Sequence, residues 1–348
     1  MLGLLLLSVP GAAQQGCATC GKGSQNAQGS DDLLDLDLEQ LMMLDVVQVT
    51  VPGAHWHWEG DWMVGLSQMH LEQDGNLVGT TSVSNAQVLG QFPTIHTSMQ
   101  MDMTMLMVMY GVTDDVTLNL MIPYTSMSMP HLNRAGQSFT TYSDGLGDIS
   151  LTAITPLFDD YPHRIQVEGG LSFPTGQIDV RYPTPTNPNQ LLEYPMQLGS
   201  GTVDLIGAVT YLGNTDSMNW GCQVRGLVHP YRNSRGWSPP DNLSVTGWVS
   251  PRVSDSFSPS VRLRGSTWGN VRGRDPELNP AANPNSDPTL QAGTRLDALL
   301  GVNFALGVDD EGHGHRFSVE GGVPIYQNLS GPQLRTRWML SGAWNWTF

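Results

Sequence analysis

From residue 61 onward, apolar and polar residues alternate with period two in twelve segments, each about as long as the ~9–11 residues that a tilted strand needs to cross a bilayer. The segments are 61–71, 99–111, 115–126, 145–157, 163–174, 201–213, 217–229, 243–252, 256–267, 295–307, 314–325 and 335–348. Their connections alternate in length. Short turns at 112–114, 158–162, 214–216, 253–255 and 308–313 carry Asp, Gly, Asn and Ser. Long connections, many of them rich in Pro and Asn, fall at 72–98, 127–144, 175–200, 230–242, 268–294 and 326–334. An even number of strands with short turns at one end and long loops at the other is the pattern of a sheet closed in a membrane; a soluble sandwich has no reason to keep it. The expected fold is therefore all-β: a closed antiparallel up-and-down transmembrane β-barrel of about 12 strands over 61–348, of outer-membrane type, with both termini at the periplasmic end.

The two faces of the strands agree with a lipid side and a water side. In the last strand Trp338, Leu340, Trp344, Trp346 and Phe348 share one face, and Arg335, Arg337, Ser341, Asn345 and Thr347 the other. Ile165, Val167, Leu171 and Phe173 oppose Arg164, Gln166, Glu168 and Ser172. Phe317, Val319, Val323 and Ile325 oppose Arg316, Ser318 and Glu320, while Val261 and Leu263 oppose Arg262 and Arg264. Charges then line the lumen, as the cost of turning them to hydrocarbon requires. No later stretch approaches the ~20 apolar residues of a membrane helix, so any crossing uses strands. A net charge of −16 excludes nucleic acid as a partner, because phosphates are repelled. The 39 glycines and 23 prolines fit a β-rich chain with many turns.

Ahead of the strands, the apolar run Leu4–Leu7 followed by Pro10, Gly11, Ala12 and Ala13 reads as a signal peptide, 1–13. Residues 14–60 read as a periplasmic leader, with capping residues Ser30 and Asp31 preceding a short helix at about 32–44. Cys17 and Cys20 are expected to form a local disulfide or remain free thiols, rather than a metal or redox pair. The chain ends Trp346, Thr347, Phe348. This resembles the terminal signal by which barrel-assembly machinery recognises its clients, so that machinery and outer-membrane lipid are the expected partners.

Thirteen of the 17 methionines lie between Met42 and Met129. Met99, Met101, Met103, Met105, Met107 and Met109 alternate along one strand, so six thioethers share a face. With Leu106 and Val108 turned to lipid, the ladder faces the lumen, joined by Met63, Met69, Met121, Met127 and Met129. The histidines His55, His57, His70, His96 and His131 add imidazoles. Thioethers are soft ligands that select Cu(I), and imidazole binds copper in either common oxidation state, so the set points to copper. Methionine is equally a flexible apolar filler, and packing of a narrow lumen is the competing reading.

Three motifs carry a resemblance: Gly145-Leu146-Gly147-Asp148 opening a strand; Gly169-Gly170-Leu171-Ser172-Phe173-Pro174-Thr175-Gly176; and Gly199-Ser200-Gly201 followed by Asp204 and Tyr211-Leu212-Gly213. Over roughly 60–348 the chain resembles the outer-membrane transporters associated with meta-pathway phenol degradation. The Trp58–Met63 segment and the methionine ladder resemble the Met/His-rich, copper-linked members of that group. Asp35–Met42 resembles the leader of TonB-dependent receptors, but no plug domain follows it. The resemblance implies a barrel that transports a small solute, either copper ions or a small aromatic or apolar compound. A non-conducting protein that binds or senses metal is the alternative. An enzyme is not expected: His131, His229 and many serines are present, but no G-x-S-x-G motif marks a nucleophile.

Overall fold

The computed structural model describes residues 51–309 and 312–348. The signal segment 1–13, Cys17 and Cys20, and the helix expected at 32–44 lie outside the described residues. The elements are β1 (Trp62–Gly79), β2 (Thr81–Val83), α1 (Asn85–Gln91), β3 (Thr94–His96), β4 (Ser98–Thr113), β5 (Val116–Asn133), β6 (Ser138–Leu146), β7 (Ile149–Asp160), β8 (His163–Phe173), β9 (Arg181–Tyr182), β10 (Gln190–Leu191), β11 (Asp204–Thr215), β12 (Met218–Val228), β13 (Trp237–Ser238), β14 (Asn242–Pro251), β15 (Phe257–Trp268), β16 (Arg272–Gly273), β17 (Gly293–Leu306) and β18 (Gly314–Thr347).

The wall runs in the order β1, β4, β5, β7, β8, β11, β12, β14, β15, β17, β18, and β18 returns to pair with β1. Each of these pairings is antiparallel, so β1 and β17, first and tenth around the wall, point in opposite directions. No single straight strand is antiparallel to both. Residues 315–329 of β18 pair with β17 and residues 329–347 with β1, so β18 doubles back on itself and supplies two staves. Gln327 Nε2 donates to Thr336 O across that fold at 2.9 Å. Ten staves plus these two close a barrel of twelve.

The faces are inverted relative to a soluble protein. Val209, Val245, Val261, Leu263, Val319 and Val323 stand about half exposed on the outside, whereas Gln166, Thr210, Asp297 and Glu320 are buried within. Only a membrane makes that distribution favourable. At the turn end the aromatics gather in pairs: Trp62 lies 4.5 Å from Tyr110, Phe257 5.1 Å from Phe304 and Trp346 4.3 Å from Phe348. Inside, Arg225 pairs with Glu168, Arg262 with Glu320, and both Arg264 and Arg295 with Asp297 at 2.9 Å.

Three of the expected long connections are different. β5 continues to Asn133 and β6 begins at Ser138, so the loop expected at 127–144 is a hairpin with its turn at 134–137. The loop expected at 326–334 is the fold of β18. In 72–98, β1 runs on to Gly79 before β2, α1 and β3. The wall outlasts the bilayer here: Glu72, Gln100 and Asp102 turn outward on it where a membrane belt would need apolar residues. Arg335 and Arg337 also depart from their expected lumenal face. A register shift against Glu72 and Gln73 inserts an extra residue, so buried Thr336 faces inward and Arg337, 45% exposed, reaches Asp74 instead. The remaining long connections, 174–203, 229–241 and 269–292, carry many buried residues and fold into the mouth of the barrel.

Candidate functional site

The lumen is occupied from the turn end by the chain's own residues 51–60. Val51 and Ala54 pack with Trp248 and Leu212, and Trp56 packs with Met63, Met109 and Ile154. Gln223 Nε2 donates to Pro52 O at 2.8 Å, and Gln166 donates to Gly53 O. The His57 amide donates to Thr117 Oγ1 at 2.9 Å while that hydroxyl donates to His57 O at 3.1 Å. Gly53 has φ +69°, and a Cβ there would strike the Glu168 carboxylate, so glycine lets the backbone lie against the wall. These residues, read above as the end of a periplasmic leader, sit inside the barrel.

At the loop end, segment 174–203 supplies the cover. Leu192 and Met196 pack on Met99, Met127, Met129 and Leu334; Leu191 and Tyr194 pack on Trp237, Val271 and Leu278. Both ends of the methionine ladder are thus held in apolar clusters, Met99, Met127 and Met129 under the cover and Met63 and Met109 against Trp56. Met101 and Met107 pack against those clusters from the side.

The middle of the ladder is open to space. An outer cavity of about 570 Å³ is lined by Met99, Met103, Tyr194, Leu198, Trp237 and Trp268, with Asp148, Asp204 and His229 as its titratable groups. An inner cavity of about 280 Å³ is lined by Met69, Met105, Met107 and Met121, opposite Arg225, Arg262 and Arg264. The inward phase expected of the ladder is the observed one: Met103, Met105 and Met107 line the cavities, Met99 and Met109 are buried, and Leu106 between them is exposed on the outside.

His131 is brought to a different place. On β5, two residues beyond Met129, it meets His96 of β3 with ring centroids 4.8 Å apart. Glu193, from the covering segment, sits between them, with Oε1 3.7 Å from Nε2 of each. All three side chains are buried, and their ligand atoms lie within 4.8 Å of one another. Asn283 Nδ2 donates to Glu193 Oε1 at 2.8 Å. Burial alone would raise the Glu193 carboxyl, but the two neighbouring imidazoles outweigh it and hold the acid well below the usual range. Burial lowers His96.

Of the remaining expected residues, His55 and His57 are buried in the lumenal segment with ring centroids 5.7 Å apart. His70 faces outward, where Nδ1 contacts Asp102 at 2.9 Å and its ring lies 5.0 Å from Trp338, because it follows Met69 in a strand whose odd positions turn inward. It is remote in phase from the ladder. Glu193 and Asn283 escaped sequence reasoning. The available signal was an acid set between Leu192 and Tyr194: a buried segment with a charge in it needs a partner.

No family model matches the chain, and no curated protein matches it. Among solved structures, the chain is similar to an outer-membrane channel from Pseudomonas putida F1, with TM-score 0.57 and 13% identity over 83% of this chain and 96% of that one. The β domain of the Bordetella autotransporter BrkA aligns with TM-score 0.43 and 10% identity over 83% and 100% of the two chains. The NanC porin aligns with TM-score 0.39 and 9% identity over 80% and 98%. The fold is that of an outer-membrane β-barrel.

Proposed function

We propose that the protein is an outer-membrane channel, drawn here in a closed state, that passes a small solute from the outer cavity to the inner one along the methionine wall, and that the solute is Cu(I). One observation carries this reading: the ladder is shared between the two cavities, Met103 in the outer and Met105, Met107, Met121 and Met69 in the inner. Successive thioethers on one strand face offer a soft ion several weak sites in a row, which suits passage better than storage. Twelve staves enclose a lumen between that of side-chain-filled eight-stranded barrels and open porins, so conduction here depends on moving residues 51–60 and the loop cover.

A second reading follows from the outer cavity. Tyr194, Trp237, Trp268 and Leu198 with a few polar groups make the lining expected of a site for a small aromatic or apolar compound.

The deciding experiment is flux into liposomes, comparing wild type with Met101, Met103, Met105 and Met107 changed together to Leu, a nearly volume-conserving replacement. Under reducing conditions copper flux should fall at least tenfold in the variant while flux of a small aromatic solute is unchanged. Equal copper flux in both proteins reduces the ladder to packing and favours the second reading. Copper binding without flux in the wild type identifies a protein that holds metal and does not conduct it.

A further inference from the structure

We infer that His96, His131 and Glu193 form a binding site for a divalent cation of the zinc class, and that the bound ion clamps the inward-folded segment 174–203 to the barrel wall. The site is separate from the ladder in chemistry and in place, and it stands whatever solute the barrel carries.

The first argument is spacing. Nε2 of each imidazole lies 3.7 Å from Glu193 Oε1, too far for a direct hydrogen bond. Ligands bound tetrahedrally at ~2.0–2.1 Å from zinc are about 3.4 Å apart, so the carboxylate sits near that separation from each imidazole, and the three ligand atoms lie within 4.8 Å of one another. The second is satisfaction. Among the described residues, His96 Nε2, both ring nitrogens of His131 and Glu193 Oε2 have no hydrogen-bond partner, although the three residues are only 2%, 2% and 7% exposed. Buried polar atoms are left in that condition rarely, and an ion would satisfy the facing nitrogens and the carboxylate together.

The third argument is support. Asn283 donates to Glu193 Oε1, and the His131 ring stacks on Phe139 at 4.7 Å with planes 6° apart. Both contacts fix the orientation of a ligand from outside the ligand set, as the surroundings of metal sites do. Two imidazoles and a carboxylate without thiolate match a borderline divalent ion better than Cu(I).

The consequence for the channel lies in where the ligands come from. His131 belongs to β5 of the wall and His96 to β3, a short strand paired with the loop end of β5, while Glu193 belongs to the cover and is followed directly by Tyr194, which lines the outer cavity. An ion shared by wall and cover holds that cavity shut from outside. Its removal frees the segment without disturbing the barrel.

The test uses the purified full chain, stripped with EDTA and titrated with zinc sulfate alone, with bound zinc counted by mass spectrometry. Glu193→Gln keeps the size of the side chain and its contact with Asn283; His131→Asn is the second variant, and heat-modifiable electrophoretic mobility reports that each barrel is folded. Each folded variant should bind one zinc fewer per chain than wild type, and Met129→Leu should bind the same number. Zinc should also slow tryptic cleavage after Arg181 at least tenfold in wild type and not in Glu193→Gln. Unchanged zinc counts in both variants overturn the site. A lost zinc with no zinc effect on cleavage overturns the clamp. Neither readout involves flux, so failure here and failure of the channel reading are distinguishable.

Discussion

At the scale of single residues, the closure of the turn end rests on a glycine. The β4 residue Gly111 accepts from the Gly60 amide at 2.9 Å and donates to Asp61 O at 3.0 Å, and a Cβ built on it would lie 1.7 Å from the carbonyl oxygen of Trp58. The backbone of the lumenal segment lies directly on that strand, and no side chain can stand between them. Gly111→Ala should therefore push residues 57–61 off the wall at a cost of about 1–3 kcal/mol, the usual range for overpacking. In a planar bilayer the variant should open more often than wild type, at unchanged barrel content by circular dichroism. Indistinguishable single-channel records would show that this segment does not close the pore.

Among the elements, the loop cover is tied across three connections by charge. Arg181 Nη2 reaches Glu277 Oε2 at 2.7 Å, Arg235 Nη2 reaches the same oxygen at 3.1 Å, and Arg235 also donates to buried Asp275 at 3.0 Å. The Arg181 guanidinium, with that of Arg235 behind it, holds the Glu277 carboxyl down to about 2. A carboxyl lowered on folding contributes stability above its unfolded value, and that contribution is lost as pH falls through the folded one. Protection of the amides around 181, 235 and 277, measured relative to their unfolded exchange rates, should thus be constant from pH 7 to about 5 and fall between about 4.5 and 2. Because Glu277 is largely exposed, the effect is small and screened by salt. Glu277→Gln should remove the acid-dependent loss and lower the protection at neutral pH to the value that the wild type reaches in acid. An unchanged profile in that variant would assign the acid response to another group.

For the whole molecule, closure depends on the seam between β18 and β1. There the final residue exchanges two backbone hydrogen bonds, Trp62 N to Phe348 O and Phe348 N to Trp62 O, both 2.9 Å, and its ring stacks on Trp346. Deleting Phe348 removes the last rung of a ring that has no other free edge to compensate. Refolding into detergent should slow several-fold, and the folded band on unheated gels should melt at lower temperature. If refolding in detergent is unaffected while insertion in cells fails, the residue acts as a signal to the assembly machinery and not as a rung. Replacing Glu320 by Ala tests the interior in the same way. Leaving Arg262 without its buried carboxylate should cost about 3–5 kcal/mol, read as a drop in the urea midpoint.

Period-two alternation, an even strand number and turn residues at regular spacing determined the barrel, because each is a local property that lipid on one side and water on the other enforce strand by strand. The same alternation determined that Met99 to Met109 face inward. Three things were decided only by the tertiary structure. Where the strands end was one: nothing local stops β5 at the bilayer, and the bulge at Arg337 that reverses two arginines is set by pairing with β1. What fills the lumen was another, since residues 51–60 and 174–203 have no strand pattern and their places follow from cavities that exist only once the ring is closed. The last was the meeting of His96, His131 and Glu193, which are separated by up to 97 positions (193 minus 96) and are joined only because a loop folds inward onto the wall. A sequence periodicity reports which face a side chain takes; it holds no information about which distant chain comes to cover it.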